Sequence, residues 1–208
     1  ALLTALALLA AARGRPGWAG VWLGLGVATK LYPVVLLPVF GLYYLAGRER
    51  RALGQLALGA AAGTLAPLLP FLLAAPRELA AFLTYHQLRG LQLESLPAGL
   101  ILFAHVFGRA AATLEFNYGA LHLVSPAAGA VLRWLPLAFV LAYGVVAAGA
   151  WARLREARQS HVPAIGLLAS CCAAALLVFI ATNKVFSPQY LIWLLPFAPL
   201  LRPRQALL

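Results

Sequence analysis

Long apolar runs separated by short arginine clusters restrict the fold of this chain more than any other feature. The run Ala52–Leu73 has no charged residue and reaches the length of about 20 apolar residues that a membrane-spanning helix needs. Further predominantly apolar runs cover Ala1–Ala12, Trp18–Ala46, Pro126–Trp151 and Val162–Thr182. Only 10% of the 208 residues are charged and the mean hydropathy is +0.89, so polar surface is too scarce for a water-soluble fold. We predict an all-α, polytopic transmembrane helix bundle with roughly five to eight membrane segments.

The basic residues lie between the apolar runs, which is typical of membrane topology and not of nucleic-acid binding. The net charge is +11, yet the arginines form short clusters and no continuous basic face. The positive-inside rule places four clusters on the cytoplasmic side of a plasma membrane. They are Arg13/Arg15, Arg48/Arg50/Arg51, Arg153/Arg155/Arg158 and Arg202/Arg204.

The run Trp18–Ala46 is interrupted by Lys30, Tyr32 and Pro33, and it can be interpreted in two ways. One span kinked at the proline would put its flanking arginine clusters on opposite sides of the membrane. Two half-length helices in a hairpin would put both clusters on the cytoplasmic side, with Lys30 at the outer tip. The positive-inside rule favours the hairpin.

We interpret residues 76–125, from Pro76 to Ser125, as one extracytoplasmic or interfacial region. Within it, the apolar run Leu96–Gly108 is too short for a normal span and predicts a re-entrant or interfacial helix. Arg109–Ser125 is predicted to be loop. Farther along, Asn183–Gln189 is predicted to be an outer turn, followed by a short last helix over Tyr190–Leu201 that Pro196 and Pro199 interrupt.

The residues present give little support to a metal site or to catalysis by paired carboxylates. The chain has no aspartate, and its histidines show no ligand spacing with one another or with Cys171 and Cys172, so we predict no metal site and no cofactor. Adjacent cysteines inside an apolar run are expected to be small packing residues.

Three basic residues, Lys30, Arg89 and Lys184, stand at the outer ends of apolar segments, where a charge is costly unless it meets water or an anion. Each lysine is followed within a few residues by an aromatic residue and a proline. A helix broken there frees backbone N–H groups, and together with a lysine these suit a phosphate. Snorkelling of the lysines to the lipid headgroups is the alternative.

The run His86–Ser95 holds an unusually dense set of hydrogen-bonding side chains for this chain. Such a set could hold a sugar, although its polar and apolar alternation could also mark an interfacial helix or strand lying on lipid. Glu94 could act as a base or form a salt bridge with Arg89, and we favour the salt bridge.

Three segments of the sequence resemble the polyprenyl-phosphate-dependent glycosyltransferases of the GT-C superfamily, specifically the bacterial, mannosyltransferase-like family 87. They are Gly26–Pro38 (GVATKLYPVVLLP), Arg89–Pro97 (RGLQLESLP) and Asn183–Pro196 (NKVFSPQYLIWLLP). A similar Asn-Lys-Val with a following Gln-Tyr and Trp also occurs in the eukaryotic enzymes that add the first mannose to glycolipid anchors.

The resemblance implies a multi-pass enzyme that moves a hexose, mannose in the first instance, from a polyprenyl-phosphate donor to a lipid or glycan acceptor on the extracytoplasmic side. It implies that Lys30, Arg89 and Lys184 bind the donor phosphate. The sugar or acceptor pocket would be lined by Tyr32, Gln92, Glu94, Ser95, Gln189 and Tyr190. No nucleic acid is expected as a partner.

In such enzymes a catalytic aspartate lies in the first outer loop, which has no counterpart in residues 1–208. We therefore expect a single transmembrane domain that lacks its amino-terminal part and is inactive in isolation. A multi-pass transporter or lipid flippase is the alternative function, since broken helices with cations at their tips also form substrate sites in carriers. A non-catalytic membrane scaffold is a third possibility.

Overall fold

The computed structural model describes residues 1–160 and 164–200, and most of these are helical. The α-helices of this part of the chain are α1 (Leu2–Ala12), α2 (Pro16–Thr29), α3 (Leu37–Ala46), α4 (Arg50–Ala74), α5 (Pro76–Leu88), α6 (Leu96–Val106), α7 (Pro126–Gln159) and α8 (Ile165–Ala181). Short 3₁₀ segments cover Tyr32–Val35, Pro188–Leu194 and Ala198–Leu200, and the strands are β1 (Thr113–Asn117) and β2 (Ala120–Val124).

The chain divides into two compact units. Unit 1 comprises residues 1–74, 144–176 and the described part of 191–208, and unit 2 comprises residues 75–143 and 177–190.

In unit 1, glycines allow the backbones of α2 and α4 to approach closely. A Cβ on Gly20 or Gly24 would overlap backbone carbonyls of α4, and a Cβ on Gly59 or Gly63 would overlap carbonyls of α2. Each pair has the G-x-x-x-G spacing that places small residues on one helix face in membrane helix pairs. The Thr64 hydroxyl donates a hydrogen bond to the Gly24 carbonyl at 3.2 Å, which only such a close approach permits.

The run Trp18–Ala46 is broken in the middle. Lys30 terminates α2 in an extended conformation, with φ −163° and ψ 121°, and α3 begins only at Leu37. Pro33 packs against Gly26, where a Cβ would come within 2.9 Å of the proline ring. One continuous kinked helix is therefore excluded, while the placement of both flanking arginine clusters on the same side stays a prediction.

In unit 2, the prediction of a loop over Arg109–Ser125 is wrong, because this segment contains the antiparallel hairpin of β1 and β2. The strands pair from Thr113 opposite Val124 to Asn117 opposite Ala120. The two residues between them, Tyr118 and Gly119, have φ of 47° and 71°, and positive φ at both central positions is what a type I′ hairpin turn requires. The predicted helical fold thus carries a small sheet in addition.

Part of the polar run His86–Ser95 pairs with β2 through an isolated antiparallel bridge between Gln92 and His122. The Leu93 N–H donates to Leu121 O at 2.9 Å, and the Leu123 N–H donates to Leu91 O at 2.8 Å. Leu91 and Leu123 are buried in a core with residues of α6 and α7, namely Ala98, Ile101 and Ala128. The extended segment is thereby held between a helix on one side and the hairpin on the other.

Several predicted boundaries agree with the structure and one does not. α4 matches the predicted span Ala52–Leu73, α6 confirms the short helix after Leu96, and residues 183–187 form a turn without helix. The last helix, predicted over Tyr190–Leu201 with interruptions at Pro196 and Pro199, is interrupted at Pro196, but it begins at Pro188 and consists of the 3₁₀ segments Pro188–Leu194 and Ala198–Leu200. His161–Pro163 and the segment from Leu201 onward, with Arg202 and Arg204, lie outside the described residues.

Among the described residues, α4 and α7 are long and apolar enough to cross a membrane. Apolar side chains on α7 are exposed, including Val140, Leu141 and Val145 at 61%, 62% and 74%. In water, such a stripe would be an unfavourable exposed patch, whereas hydrocarbon would cover it at no cost. Length, composition and exposure together indicate membrane association.

The close packing of α2 on α4 predicts different costs for two glycines of the same helix. Gly63→Ala should lower the free energy of unfolding by about 1–3 kcal/mol, as overpacking in a filled interface does, because the new methyl meets backbone atoms of Val21 and Leu25. Gly54 meets nothing within 4 Å, so Gly54→Ala should be neutral or slightly stabilising. Denaturant titration of both variants in detergent micelles measures the difference, and equal stabilities would contradict this packing.

Candidate functional site

In unit 2, main-chain and side-chain hydrogen bonds join two of the three motif segments. The Gln92 N–H, in the Arg89–Pro97 segment, donates to the Lys184 carbonyl at 2.9 Å. The Lys184 ammonium donates to Gln87 O at 2.8 Å and to Arg89 O at 2.6 Å. Segments almost one hundred residues apart in sequence thus form one substructure, and two of the predicted phosphate ligands, Arg89 and Lys184, lie in it.

Local structure explains why both segments are available for this contact. α5 ends at Leu88, so the carbonyl of Gln87 in its last turn and that of Arg89 just after it have no helical N–H partner and can accept from a side chain. On the other segment, α8 ends at Ala181, and the Asn183 side chain accepts a hydrogen bond from the Val185 N–H at 3.0 Å. This Asx-type turn directs the chain out of the helix and positions Lys184.

The ionisable side chains that interact around Lys184 are basic, and Glu94 of the same segment is exposed. Burial and the neighbouring Arg89 guanidinium lower the pKa of Lys184. Burial, Arg89 and Lys184 together lower the pKa of His86. The Arg89 guanidinium lies 5.9 Å from the centroid of the Tyr85 ring, and its Nε has no hydrogen-bond partner among the described residues. Repulsion between two cations held side by side is relieved most directly by an anion.

A cavity of about 590 Å³ adjoins the Arg89–Lys184 pair. Its polar lining consists of Gln87, Arg89, Thr182, Asn183 and Lys184, and its apolar lining consists of Leu88, Leu132, Leu135, Pro136, Phe139 and Phe179. Cations on one part of the wall and aliphatic and aromatic groups on the other suit a ligand that joins a phosphate to a hydrocarbon chain.

The residues predicted to line a sugar or acceptor pocket differ in how accessible they are. Ser95 is buried and caps α6, since its hydroxyl accepts from the Ala98 N–H and donates to Gln92 O. Gln92 is also buried, and its side-chain oxygen has no partner in the part of the chain described. Glu94 is exposed. The expected salt bridge to Arg89 is absent, because the only ion pair among the described residues joins Arg158 to Glu49.

Gln189 and Tyr190 follow the same turn in unit 2. Gln189 is exposed, and Tyr190 is half-buried with its ring edge-on to Phe186 at a centroid distance of 5.8 Å. Their proximity in sequence to Lys184 keeps them next to the cationic substructure, and their binding role stays a prediction.

Lys30 and Tyr32 belong to unit 1, where both meet Trp193. The Tyr32 ring is buried and stacks on the Trp193 ring at 4.1 Å with an interplanar angle of 4°. The Lys30 ammonium lies 5.4 Å from the centroid of the same ring, within cation–π range. The Gly26–Pro38 segment and the end of the Asn183–Pro196 segment are therefore in contact, through an aromatic residue that sequence analysis did not select.

The sequence model of glycosyltransferase family 87 matches residues 1–181. The chain belongs to glycosyltransferase family 87. No curated protein and no solved structure shows significant similarity to it. Family membership confirms the resemblance drawn from the Gly26–Pro38 and Arg89–Pro97 segments, whereas the Asn183–Pro196 segment lies beyond the matched residues. A glycosyltransferase requires a donor and an acceptor, and the transporter alternative is set aside.

Sequence analysis missed one buried residue of this family 87 chain, His122. Its side chain is 2% exposed, and neither ring nitrogen has a hydrogen-bond partner among the described residues. Gly90 packs on the ring, since a Cβ there would lie 3.3 Å from His122 Nδ1, and Gln92 pairs with His122 across the sheet. Only the strand register brings His122 next to the Arg89–Pro97 segment, and no sequence spacing reveals it.

The hydrogen bonds of Lys184 predict a local effect of its removal. Lys184→Met keeps the length of the side chain but loses both hydrogen bonds to carbonyls. The Gln92 amide should then exchange its hydrogen about tenfold faster, which corresponds to the lower end of the free energies found for hydrogen bonds to a charged group. Hydrogen exchange with mass spectrometry on the peptide containing Gln92 measures this. Lys30→Met, in unit 1, is the matched control and should leave that peptide unchanged. Unaltered exchange in Lys184→Met would show that the ammonium does not hold the segment.

Proposed function

We propose that the chain forms part of a multi-pass plasma-membrane enzyme that transfers a hexose, mannose in the first instance, from a polyprenyl-phosphate donor to a lipid or glycan acceptor. The observation that carries the proposal is the pairing of Arg89 with Lys184 beside a cavity with apolar walls. Family membership supplies the reaction class, and this pairing is what favours a lipid-linked phosphate as the donor.

Phosphate recognition would use those N–H donors of Lys184 and Arg89 that remain after the hydrogen bonds within the chain are made. A lysine ammonium has three N–H donors, and two of those in Lys184 go to Gln87 O and Arg89 O. The Arg89 guanidinium adds a planar fork that matches two phosphate oxygens. The apolar wall formed by Leu132, Leu135 and Phe139 would accommodate the first isoprenoid units.

The two cations would contribute to the chemistry through the leaving group. Transfer breaks the bond between the anomeric carbon and the phosphate oxygen while the acceptor oxygen bonds to that carbon, which inverts the anomeric centre. The polyprenyl phosphate departs with its electron pair and gains negative charge. Fixed positive groups at that oxygen lower the barrier because the charge develops only in the transition state. A general base takes the proton from the acceptor hydroxyl.

The sugar and acceptor would lie next to these cations, against Gln92, Glu94, Gln189 and Tyr190, while Ser95, buried as the cap of α6, would support this segment from within. Lys30 is proposed as a further phosphate ligand and Tyr32 as a further pocket residue. The positive-inside rule supports an extracytoplasmic site, since arginine clusters stand at the start of α4 and the end of α7, and Arg89 and Lys184 lie outside those clusters.

Transfer of radiolabelled mannose from polyprenyl-phosphate-mannose, by the full-length protein in membranes, tests this proposal. Lys184→Met and Arg89→Gln should each reduce transfer by about a hundredfold, because a charge-assisted contact can contribute about 3 kcal/mol. Polyprenyl phosphate should inhibit both variants less strongly than wild type. Arg133→Gln removes an exposed arginine of α7 and should retain full activity at matched expression.

The result contrary to the proposal is equally specific. Wild-type activity in both variants would remove these residues from donor binding. A wild-type protein that transfers no sugar from polyprenyl-phosphate donors of mannose, glucose or arabinose, yet uses a nucleotide sugar, would overturn the donor class. Inhibition by polyprenyl phosphate as strong in Lys184→Met as in wild type, together with a lower kcat, would assign Lys184 a purely structural role, because the anionic product would then not contact the ammonium.

A further inference from the structure

A second cluster of cations lies in unit 1, where the turn between α3 and α4 meets the end of α7. The Arg158 guanidinium forms an ion pair with Glu49 at 3.1 Å, and it lies 4.2 Å from the centroid of the Tyr43 ring. Together these contacts fix the end of α7 against the turn, although the two segments are about one hundred residues apart in sequence.

A cavity of about 400 Å³ opens at this contact, lined by Ala46, Gly47, Arg48, Arg155, Arg158 and Gln159. Three of its six lining residues are arginines, and Glu49 offsets the charge of Arg158 alone. Glu156 and Arg153, also on α7, are exposed and do not line the cavity. The cavity therefore has a local charge of about +2, which complements a phosphate monoester or diester.

The backbone holds Arg48 in a conformation that a side chain rarely adopts. Its φ is 58°, and the turn is closed by hydrogen bonds from the Arg48 N–H to Leu45 O at 2.9 Å and from the Glu49 N–H to Tyr44 O at 3.0 Å. A left-handed position after a helix ordinarily takes glycine or asparagine. Holding arginine in this backbone conformation costs free energy. A charge that only had to be solvated at the surface would not need this strained position.

Gly47 makes room for the ion pair at the cavity wall. A Cβ at this position would lie 2.6 Å from the Glu49 carboxylate and 3.4 Å from the Arg158 guanidinium carbon. Gly47 therefore precedes the left-handed position, and Arg48 occupies that position itself. The arrangement keeps the Arg48 charge at the cavity.

We propose that this arginine cavity binds the phosphate of an anionic phospholipid headgroup. Arginine suits the task because its planar fork can bond two phosphate oxygens at once. A lipid is favoured over a free anion because the adjoining Leu45 is an exposed apolar residue and because basic pockets between membrane helices bind anionic headgroups. The positive-inside rule assigns this end of the helices to the leaflet that carries such lipids. The site is independent of the proposed transfer reaction.

Thermal unfolding of the full-length protein in detergent micelles, titrated with phosphatidylglycerol or phosphatidylcholine, tests the site. Phosphatidylglycerol should raise the melting temperature of wild type more than phosphatidylcholine does. In R48Q/R155Q the apparent affinity for phosphatidylglycerol should fall about tenfold, as expected for lost charge-assisted bonds. R13Q/R15Q removes the same charge from exposed residues of unit 1 that do not line the cavity, and it should respond like wild type.

Equal loss of the response in the two double variants would overturn the site in favour of nonspecific charge attraction. Stabilisation by inorganic phosphate with no further gain from phosphatidylglycerol would show that the ligand is a free anion and not a lipid. Should R48Q/R155Q fail to fold, Arg155→Gln alone carries the test, because Arg155 is exposed on α7 and makes no ion pair among the described residues. Its affinity for phosphatidylglycerol should then fall about threefold.

Discussion

The hydrogen bonds between Lys184 and the carbonyls of Gln87 and Arg89 are the contact on which the candidate site depends. They satisfy acceptors at the end of α5 that have no helical partner. The same contact orders the extended segment that pairs with the hairpin, because the Gln92 N–H bonds to the Lys184 carbonyl. One lysine therefore links a helix terminus, a small sheet and the cationic cavity wall.

In unit 1 the constraint is backbone proximity. Glycines on α2 and α4 let Thr64 reach the carbonyl of Gly24, and the helix break at Lys30 brings Tyr32 onto Trp193. Glycine is favoured at such a helix interface in lipid because van der Waals contact, and not the exclusion of water, must hold the helices together. The two units thus use different solutions, close glycine packing in unit 1 and a hydrogen-bonded polar substructure in unit 2.

Local sequence signals predicted much of the helical framework. They did not predict the contacts between segments that are distant in sequence, or the β-hairpin. Apolar run length and the prolines gave α4, α6 and the break near Pro33, since both act within one segment. The hairpin was missed because its turn uses Tyr118 and Gly119, which lack the Asn-Gly signature. Arg89 and Lys184 were selected for their charge. The carbonyls that bind Lys184 could not be predicted, because every residue has a backbone carbonyl that can accept a hydrogen bond. The spacing of Gly59 and Gly63 was readable, whereas the partner helix was not.

A lysine that already bonds two carbonyls can still serve a phosphate, and these bonds make it better suited to do so. An unrestrained ammonium must lose side-chain freedom when a ligand binds, at a cost of up to about 2 kcal/mol. In this chain the bonds to Gln87 O and Arg89 O already restrict the ammonium before a ligand binds. The dipoles of these carbonyls also stabilise the positive charge of Lys184, whose pKa burial lowers. An arriving phosphate would meet a charge already fixed in place. Preorganised charge of this kind favours the transition state over the ground state, because it needs no rearrangement as the leaving oxygen becomes negative.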